Sequence, residues 1–341
     1  MTAFFEKQLS AGAWGITVAT VPQAVVAGKS GAKRILMANQ LVGRRNMEVI
    51  AELADRHEFY CLLDSVENAH QLGLFFAKKN SRLNVLIEIG VEGGRCGCRN
   101  DDLVFEISQT VAQYDALSLA GLEVYEGVIH GSGATDKIHS LLTRFTNLAR
   151  TLMELNAFDH ERIILTGAGS AWYDLVCSHL KQVSEEHNIL ALIRPGCYLI
   201  HDKGIYEQAQ NDVIQRLEEK QPEGELESCL EIWAYVQSIP EPGRVIIGMG
   251  KRDVAFSDGL PQPALHYRPG NSRPQSAATD WKLVEIMDQH AFLQVPDNAN
   301  IQVGDMIAFS TSHPCLTFDK WKNICLIDDN YQVSRVLDTY F

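Results

Sequence analysis

Short apolar runs alternate with longer amphipathic stretches through the first two-thirds of the chain. Apolar spacing predicts helices over Asn46–Arg56 and Ile138–Leu155. Strands that are apolar at nearly every position are typical of parallel sheets covered on both faces. At least six such units, without a GxGxxG turn, favour a β/α barrel over a doubly wound sheet. The predicted strands are Thr17–Thr20, Arg34–Ala38, Phe59–Asp64, Leu83–Ile89, Leu119–Tyr125, Arg162–Thr166 and Leu190–Arg194.

A polar segment at Lys220–Ser228 contains Pro and Gly and has the composition of a linker. Beyond it, short strands follow one another without long helices, which predicts a β domain. We therefore expect the α/β fold of a (β/α)8 TIM-like barrel over residues 1–222 and a C-terminal β domain over 223–341. The β domain strands are predicted at Leu230–Ser238, Arg244–Gly248, Leu283–Met287, Ala291–Val295 and Met306–Ser310.

Composition narrows the class of protein. The 341 residues carry 30 Lys and Arg against 43 Asp and Glu, a net charge of −13, which argues against a nucleic-acid partner. No apolar run approaches the length of a membrane span. Eight cysteines are scattered without a CxxC pair, and the N-terminus lacks the pattern of a signal peptide. These features predict a cytoplasmic protein that does not enter a membrane.

Polar residues stand where several predicted strands end. Because the active sites of β/α barrels lie at the carboxyl ends of the strands, these residues are candidates for a site. The alternative is that several of them only cap the helix that follows. The candidates are Thr20, Asn39, Gln40, Asp64, Tyr125, Thr166 and Arg194.

Two turns rich in small residues follow neighbouring strands. Thr166-Gly167-Ala168-Gly169-Ser170 and Arg194-Pro-Gly196-Cys197-Tyr198 expose backbone N–H groups that suit a phosphate, although an ordinary tight turn is the competing interpretation. Arg95, in a glycine-containing loop, is a candidate for contact with a cofactor ring or a carboxylate. It also fits the description of an ordinary loop arginine.

The third candidate is the segment Ser312-His313-Pro-Cys315. Imidazole and thiolate both suit zinc, and residues two apart in an extended segment share a face. Two protein ligands leave coordination positions open, as in catalytic zinc sites. The alternative is a buried cysteine beside an unrelated histidine.

The combination of motifs resembles the D-serine dehydratase and D-threonine aldolase family, and is most similar to bacterial amino acid deaminases, also called D-serine deaminases. The resemblance runs nearly end to end and implies the alanine-racemase-like fold of pyridoxal 5'-phosphate (PLP) enzymes. The motifs are Gln8-Leu-Ser-Ala-Gly-Ala-Trp-Gly-Ile-Thr-Val-Ala-Thr20, Ala38-Asn-Gln-Leu-Val-Gly43, Gly94-Arg-Cys-Gly97, Tyr125-Glu-Gly127, Arg194-Pro-Gly-Cys-Tyr198 and Ser312-His-Pro-Cys-Leu-Thr-Phe-Asp-Lys-Trp321.

The resemblance also implies roles for the candidate residues. The turns Thr166–Ser170 and Gly196–Tyr198 would hold the PLP phosphate, Tyr125 and Arg95 would face the pyridine ring, and Gln40 would line the site. His313 and Cys315 would hold zinc beside the substrate's β-hydroxyl. The family's Schiff-base lysine lies just before the segment that begins this sequence, so we expect it upstream of Met1. The barrel is then expected to lack its first strand.

The activity expected from the resemblance is a PLP- and zinc-dependent lyase reaction, in which D-serine is dehydrated to pyruvate and ammonia. The first alternative is a metal-dependent D-threonine aldolase, which cleaves its substrate to glycine and an aldehyde. The others are a racemase-like PLP protein and a PLP-binding protein without turnover. The resemblance also implies a homodimer whose only other partner is a small D-amino acid.

Overall fold

The computed structural model describes residues 2–160, 162–186, 188–217 and 224–340, in two compact units, 1–195 and 196–341. The domain boundary predicted between 222 and 223 falls among residues 218–223, outside the described ranges. No described helix is long and apolar enough to span a bilayer.

The first unit consists of strands and helices in alternation. Its helices are α1 (Thr2–Ser10), α2 (Val21–Lys29), α3 (Arg44–Ala54), α4 (Val66–Lys79), α5 (Asp101–Val111), α6 (Ala134–Glu154) and α7 (Tyr173–Glu186). Its strands are β1 (Ile16–Val18), β2 (Arg34–Gln40), β3 (Glu58–Leu63), β4 (Leu83–Ile89), β5 (Leu117–Val124), β6 (Ile163–Gly167) and β7 (Ile189–Ile193).

The seven strands form one parallel sheet in the order β1 to β7. Sequential order is that of a barrel, whereas a doubly wound sheet reverses order at a switch point. Every residue of β5 is buried, because helices cover one face of the sheet and inward-pointing side chains fill the other. The predicted barrel-type units are therefore confirmed.

Helix caps account for some of the polar strand ends. Thr20 accepts a hydrogen bond from the Gln23 amide at 3.4 Å and caps α2, and Ser65 caps α4 in the same way through Asn68. Such caps satisfy backbone donors that the first helical turn leaves unpaired. Thr20 is therefore a helix cap, as the alternative interpretation of the polar strand ends proposed.

The second unit contains the predicted β domain, which is built around an antiparallel sheet. The strand order is β11-β10-β14-β8-β9-β13-β12, and β15 and β16 form a separate hairpin. The strands are β8 (Glu231–Glu241), β9 (Arg244–Ile247), β10 (Gln262–Tyr267), β11 (Gln275–Ser276), β12 (Lys282–Ile286), β13 (Ala291–Gln294), β14 (Met306–Ser310), β15 (Asn323–Ile327) and β16 (Val333–Asp338). Its helices are α8 (Ile205–Leu217), α9 (Pro314–Phe318) and a single 3-10 turn, Cys197–Leu199.

Four strands of this unit were not predicted, and β10 shows why. It begins inside Pro261-Gln-Pro, which sequence patterns assign to a turn. Pro263 is accommodated because the pairing of β10 with β14 is irregular between Pro263 and Leu265. A bulge removes the need for the ladder hydrogen bond that proline cannot donate.

Candidate functional site

Two glutamates mark the carboxyl ends of β4 and β5. Glu88 and Glu123 are register partners in the parallel ladder, so their side chains point to the same face, and they are 5% and 2% exposed. The Gln40 side chain, from the end of β2, donates a hydrogen bond to Glu88 at 2.7 Å. Gln40, a predicted site residue, therefore lies in a buried polar cluster at this edge of the sheet.

Arg194 connects Glu123 to the next strand. Its guanidinium pairs with the Glu123 carboxylate, and its Nε donates to the Thr166 hydroxyl at 3.0 Å. The second carboxylate oxygen of Glu123 is buried without a hydrogen-bond partner. Unsatisfied buried oxygens are uncommon, and one at the end of a barrel strand marks a place where a ligand would supply the missing donor.

Burial changes the acidity of these carboxyl groups. Removal from water, together with the negative charge of Glu123, raises the pKa of Glu88 to about 7, although the Gln40 hydrogen bond opposes this. Burial likewise raises the pKa of Glu123, against the influence of Arg194. Glu88 therefore exchanges its proton near neutral pH.

Arg95 and Tyr125 form a contact pair. The Arg95 guanidinium lies over the Tyr125 ring, 4.2 Å from its centroid, which is a cation–π arrangement. The same ring packs against Gly169, where an added Cβ would lie 3.1 Å from the ring carbon Cε2. The structure thus brings three predicted site residues together at the carboxyl edge of the sheet.

The turn Thr166–Ser170 holds a carboxylate. The backbone amides of Ala168 and Gly169 donate to the Glu126 carboxylate at 3.3 and 2.6 Å, and Ala168 has a φ of 71°. The turn is therefore built to bind an anion, as its small residues predicted, but two of its amides are engaged by the protein's own glutamate. Burial raises the pKa of Glu126, while these amides act in the opposite direction.

The second turn predicted to bind phosphate, Gly196–Tyr198, lies in the second unit. Gly196 precedes the 3-10 turn that contains Cys197 and Tyr198; Cys197 is buried and Tyr198 is about half exposed. A Cβ atom added to Gly196 would have no neighbouring atom within 4 Å. The backbone here is open to approach, as phosphate binding requires.

The predicted metal ligands lie at the start of α9, also in the second unit. The expectation of an extended segment is wrong, because His313 is the N-cap residue of this helix and Cys315 lies in its first turn. The side chains of His313 and Cys315 hydrogen-bond to each other, and Cys197 hydrogen-bonds to Cys315. The imidazole also faces a carboxylate, with His313 Nδ1 2.5 Å from Oδ2 of Asp258. Imidazole and thiolate side by side are a donor pair that suits zinc.

Hydrogen bonding shifts the pKa values of both side chains. The hydrogen bond from Cys197 and the charge of His313 lower the pKa of Cys315 to about 6, against the opposing effect of partial desolvation. For His313, burial lowers the pKa, but Asp258 and Cys315 outweigh it, and the net shift is upward. The pair therefore favours thiolate over thiol near neutral pH.

A further set of possible ligands involves Asp64. Ligand atoms of Asp64, Glu88 and Cys96 all lie within 4.8 Å of one another. Oδ2 of Asp64 accepts from the Gly97 amide at 2.9 Å, and the Gln40 side chain donates to Glu88. This cluster belongs to the same edge of the sheet.

Sequence reasoning missed four acidic residues of these sites: Glu88, Glu123, Glu126 and Asp258. A signal existed for the first two, because each is a single charge inside an otherwise apolar strand run. Asp258 carries no such signal, since it stands in a loop 55 residues before His313. In the described ranges, no lysine lies on, or directly after, a strand of the parallel sheet.

A parallel sheet in sequential order, with its polar groups at the strands' carboxyl ends, defines the β/α-barrel class that hosts fold-type III PLP enzymes. The alanine racemase N-terminal domain family matches residues 3–202, and the serine dehydratase domain family matches residues 229–327. The chain belongs to this alanine-racemase-like family of PLP-dependent enzymes. The resemblance identified from the motifs is confirmed.

Individual relatives are distant but cover nearly the whole chain. A D-threonine aldolase from Arthrobacter sp is 24% identical over 329 residues, 95% of this chain and 78% of the aldolase. The solved D-threonine aldolase of Filomicrobium marinum has a TM-score of 0.78 at 22% identity, covering 99% of this chain and 84% of its own.

A dehydratase is also similar. D-threo-3-hydroxyaspartate dehydratase from Delftia sp. HT23 has a TM-score of 0.70 at 17% identity and covers 98% of this chain and 86% of its own. Its solved variants include a His→Ala form and, two positions further along, a Cys→Ala form in the metal-free state. At these identities the structures establish the fold, and the relatives themselves are lyases, the enzyme class predicted from the motifs.

Proposed function

We propose that the chain is a zinc-assisted, PLP-dependent lyase that removes water from D-serine and so forms pyruvate and ammonia. The observation that supports this most directly is the contacting pair His313 and Cys315. The Delftia dehydratase has been studied as His and Cys variants at the same spacing, one of them metal-free. Because the His-x-Cys spacing is the same in both proteins, we prefer dehydration over the other reactions of this family.

The donor chemistry of this turn fits zinc. Cys315 is exposed, and the imidazole of His313 faces the carboxylate of Asp258. A thiolate and an imidazole form half of a tetrahedral ligand set and leave positions for water or substrate. When bound, zinc supplies a Lewis acid that makes the β-hydroxyl a better leaving group. His313 and Cys315 would hold that ion through the imidazole and the sulfur.

The edge of the parallel sheet fits part of PLP. The unpaired oxygen of Glu123, the stacked Arg95 and Tyr125, and the anion-binding turn at Thr166–Ser170 lie on neighbouring strand ends. When bound, PLP supplies an electron sink for the substrate's α-carbon. Arg95 and Tyr125 would flank the ring, and Gln40 would line the site.

We assign the phosphate to Thr166–Ser170 and to Gly196–Tyr198 on the strength of the resemblance. In the first turn Glu126 accepts from two amides, so a phosphate would use the turn's other donors or replace that carboxylate. Arg194 bonds to both Glu123 and Thr166 and so links the ends of β5 and β6, the strands that would carry part of the cofactor site. The raised pKa of Glu88 lets it hold a proton beside Gln40 at neutral pH.

D-threonine aldolase activity is the second candidate, because a relative of that name aligns with 95% of the chain. The two reactions give different products from D-threonine. Dehydration yields 2-oxobutyrate and ammonia, whereas aldol cleavage yields glycine and acetaldehyde. Product analysis therefore separates the two functions on one substrate.

The assay supplies D-serine, L-serine and D-threonine to the protein encoded by its whole gene, with PLP and zinc. We expect pyruvate from D-serine and little from L-serine. Glycine and acetaldehyde from D-threonine, without oxo acid from either D-amino acid, would identify an aldolase instead. Cys315→Ala should abolish dehydration and zinc binding, whereas Cys325→Ala, which removes another exposed cysteine, should preserve both.

A further inference from the structure

We infer that Asp258 is the positioning residue of the metal centre and that it directs the Nε2 atom of His313 to the ion. This inference rests on the proposed function, because it concerns the zinc held by His313 and Cys315. It adds a residue for which no sequence motif gave a signal, and it specifies which nitrogen binds.

The tautomer follows from the chemistry of the contact. Oδ2 of Asp258 lies 2.5 Å from Nδ1 of His313. An ionised carboxylate only accepts hydrogen bonds, so Nδ1 must carry the hydrogen. The lone pair of the neutral ring is then on Nε2, which becomes the ligand atom. A carboxylate behind a metal-bound histidine both orients the ring and increases its basicity.

The backbone of His313 is fixed independently of its side chain. Its amide donates to the Thr311 hydroxyl at 3.2 Å, and its carbonyl accepts from the Thr317 hydroxyl at 3.0 Å. The two hydroxyls lie 2.8 Å apart, and both threonines are buried. With the backbone held on both sides, rotation of the imidazole is the freedom that remains, and the contacts with Asp258 and Cys315 restrict it.

The loop that carries Asp258 is tied to the same turn. The Ser312 hydroxyl donates at 2.7 Å to the carbonyl of Gly259, which is the residue directly after Asp258. Further back, the Ala255 amide donates to the Thr317 hydroxyl at 3.1 Å. A carboxylate bracketed by two such bonds has a fixed distance to the imidazole, which distinguishes a positioning group from a chance surface ion pair.

An asparagine at this position would weaken the arrangement. Its amide nitrogen can donate to Nδ1, which would stabilise the tautomer with hydrogen on Nε2 and oppose metal binding. Loss of such an outer carboxylate typically costs about 10- to 100-fold in metal affinity. We therefore expect Asp258→Asn to bind zinc about 10- to 100-fold more weakly, and Asp258→Glu to recover part of the loss.

The experiment measures zinc affinity by competition with a chromophoric chelator. The wild type, Asp258→Asn, Asp258→Ala and His313→Ala are compared with Asp280→Asn, which removes an exposed carboxylate from the same unit. We expect the order wild type and Asp280→Asn, then the two Asp258 variants, then His313→Ala. Circular dichroism checks that each variant is folded.

A second readout needs no metal. Long-range 1H–15N spectra of histidine-labelled protein, at alkaline pH, report which ring nitrogen carries hydrogen, and His313→Ala assigns the signal. We expect the Nδ1–H tautomer in the wild type and a shift toward Nε2–H in Asp258→Asn.

The outcomes separate the two proposals. If the wild type binds zinc through His313 and Asp258→Asn matches it in affinity and tautomer, the role of Asp258 is refuted alone. If the wild type binds no zinc, or His313→Ala binds it equally well, the proposed metal centre fails and this inference fails with it.

Discussion

Substitution of Glu88 by glutamine tests the electrostatics of the buried cluster. Glu88 is 5% exposed and pairs in register with Glu123, and its pKa is raised to about 7 by burial and by that neighbour. Glutamine has the shape of the protonated acid and can still accept the hydrogen bond from Gln40. Glu88→Gln therefore removes the charge while keeping the packing.

The pH dependence has a definite sign. The folded chain binds the Glu88 proton more tightly than the unfolded chain, whose glutamate has its ordinary pKa of 4.5. The contribution of the protonated Glu88 to the stability of the fold is therefore complete below pH 4.5 and is lost as the pH rises through 7. Over that interval, at about 1.4 kcal/mol per pH unit, the cost of ionisation reaches about 3 kcal/mol. Glu88→Gln should avoid this cost.

The measurement is urea unfolding, followed by circular dichroism, at about pH 5 and pH 8. Glu88→Gln should match the wild type at the lower pH and exceed it by about 2 to 3 kcal/mol at the higher. Glu106→Gln, on the exposed side of α5, is the control for loss of one carboxylate. A difference between Glu88→Gln and the wild type that is the same at both pH values, or a less stable variant at pH 8, would contradict the reasoning.

Two further predictions concern each unit separately. In the second unit, buried Asp305 accepts hydrogen bonds from Arg268 at 2.9 Å and from His266 at 2.8 Å, and these bonds lower its pKa in spite of burial. Asp305→Ala should therefore lower the free energy of unfolding by about 2 kcal/mol at neutral pH and by less in acid. Urea unfolding at each pH measures the difference. An equal loss at all pH values would refute the electrostatic account. In the first unit, Arg95→Ala removes the cation over Tyr125 and should weaken PLP binding about 10-fold, measured by fluorescence titration. An affinity for PLP equal to that of the wild type would refute this role for Arg95.

The hydrophobic pattern was a good guide to the first unit because each strand and helix is specified locally. Apolar runs such as Leu83–Ile89 match their observed strand to the residue, and the sequential order followed from counting β/α units. The second unit was harder to predict. Short strands such as Gln275–Ser276 have no apolar periodicity, and they exist because a neighbouring strand pairs with them.

The candidate sites divide in the same way. Thr166–Ser170 forms an anion-binding turn because its residues are small, which is a local property that the sequence by itself determined. The closeness of His313 and Cys315 in the sequence was also a local signal, but the segment was expected to be extended and instead begins a helix. The tertiary structure alone placed Asp258 against His313, Glu123 beside Glu88, and Glu126 in the turn that had been assigned to phosphate. These contacts depend on strand register and loop closure, which set distances between residues far apart in the chain and leave no periodic signal in the residues themselves.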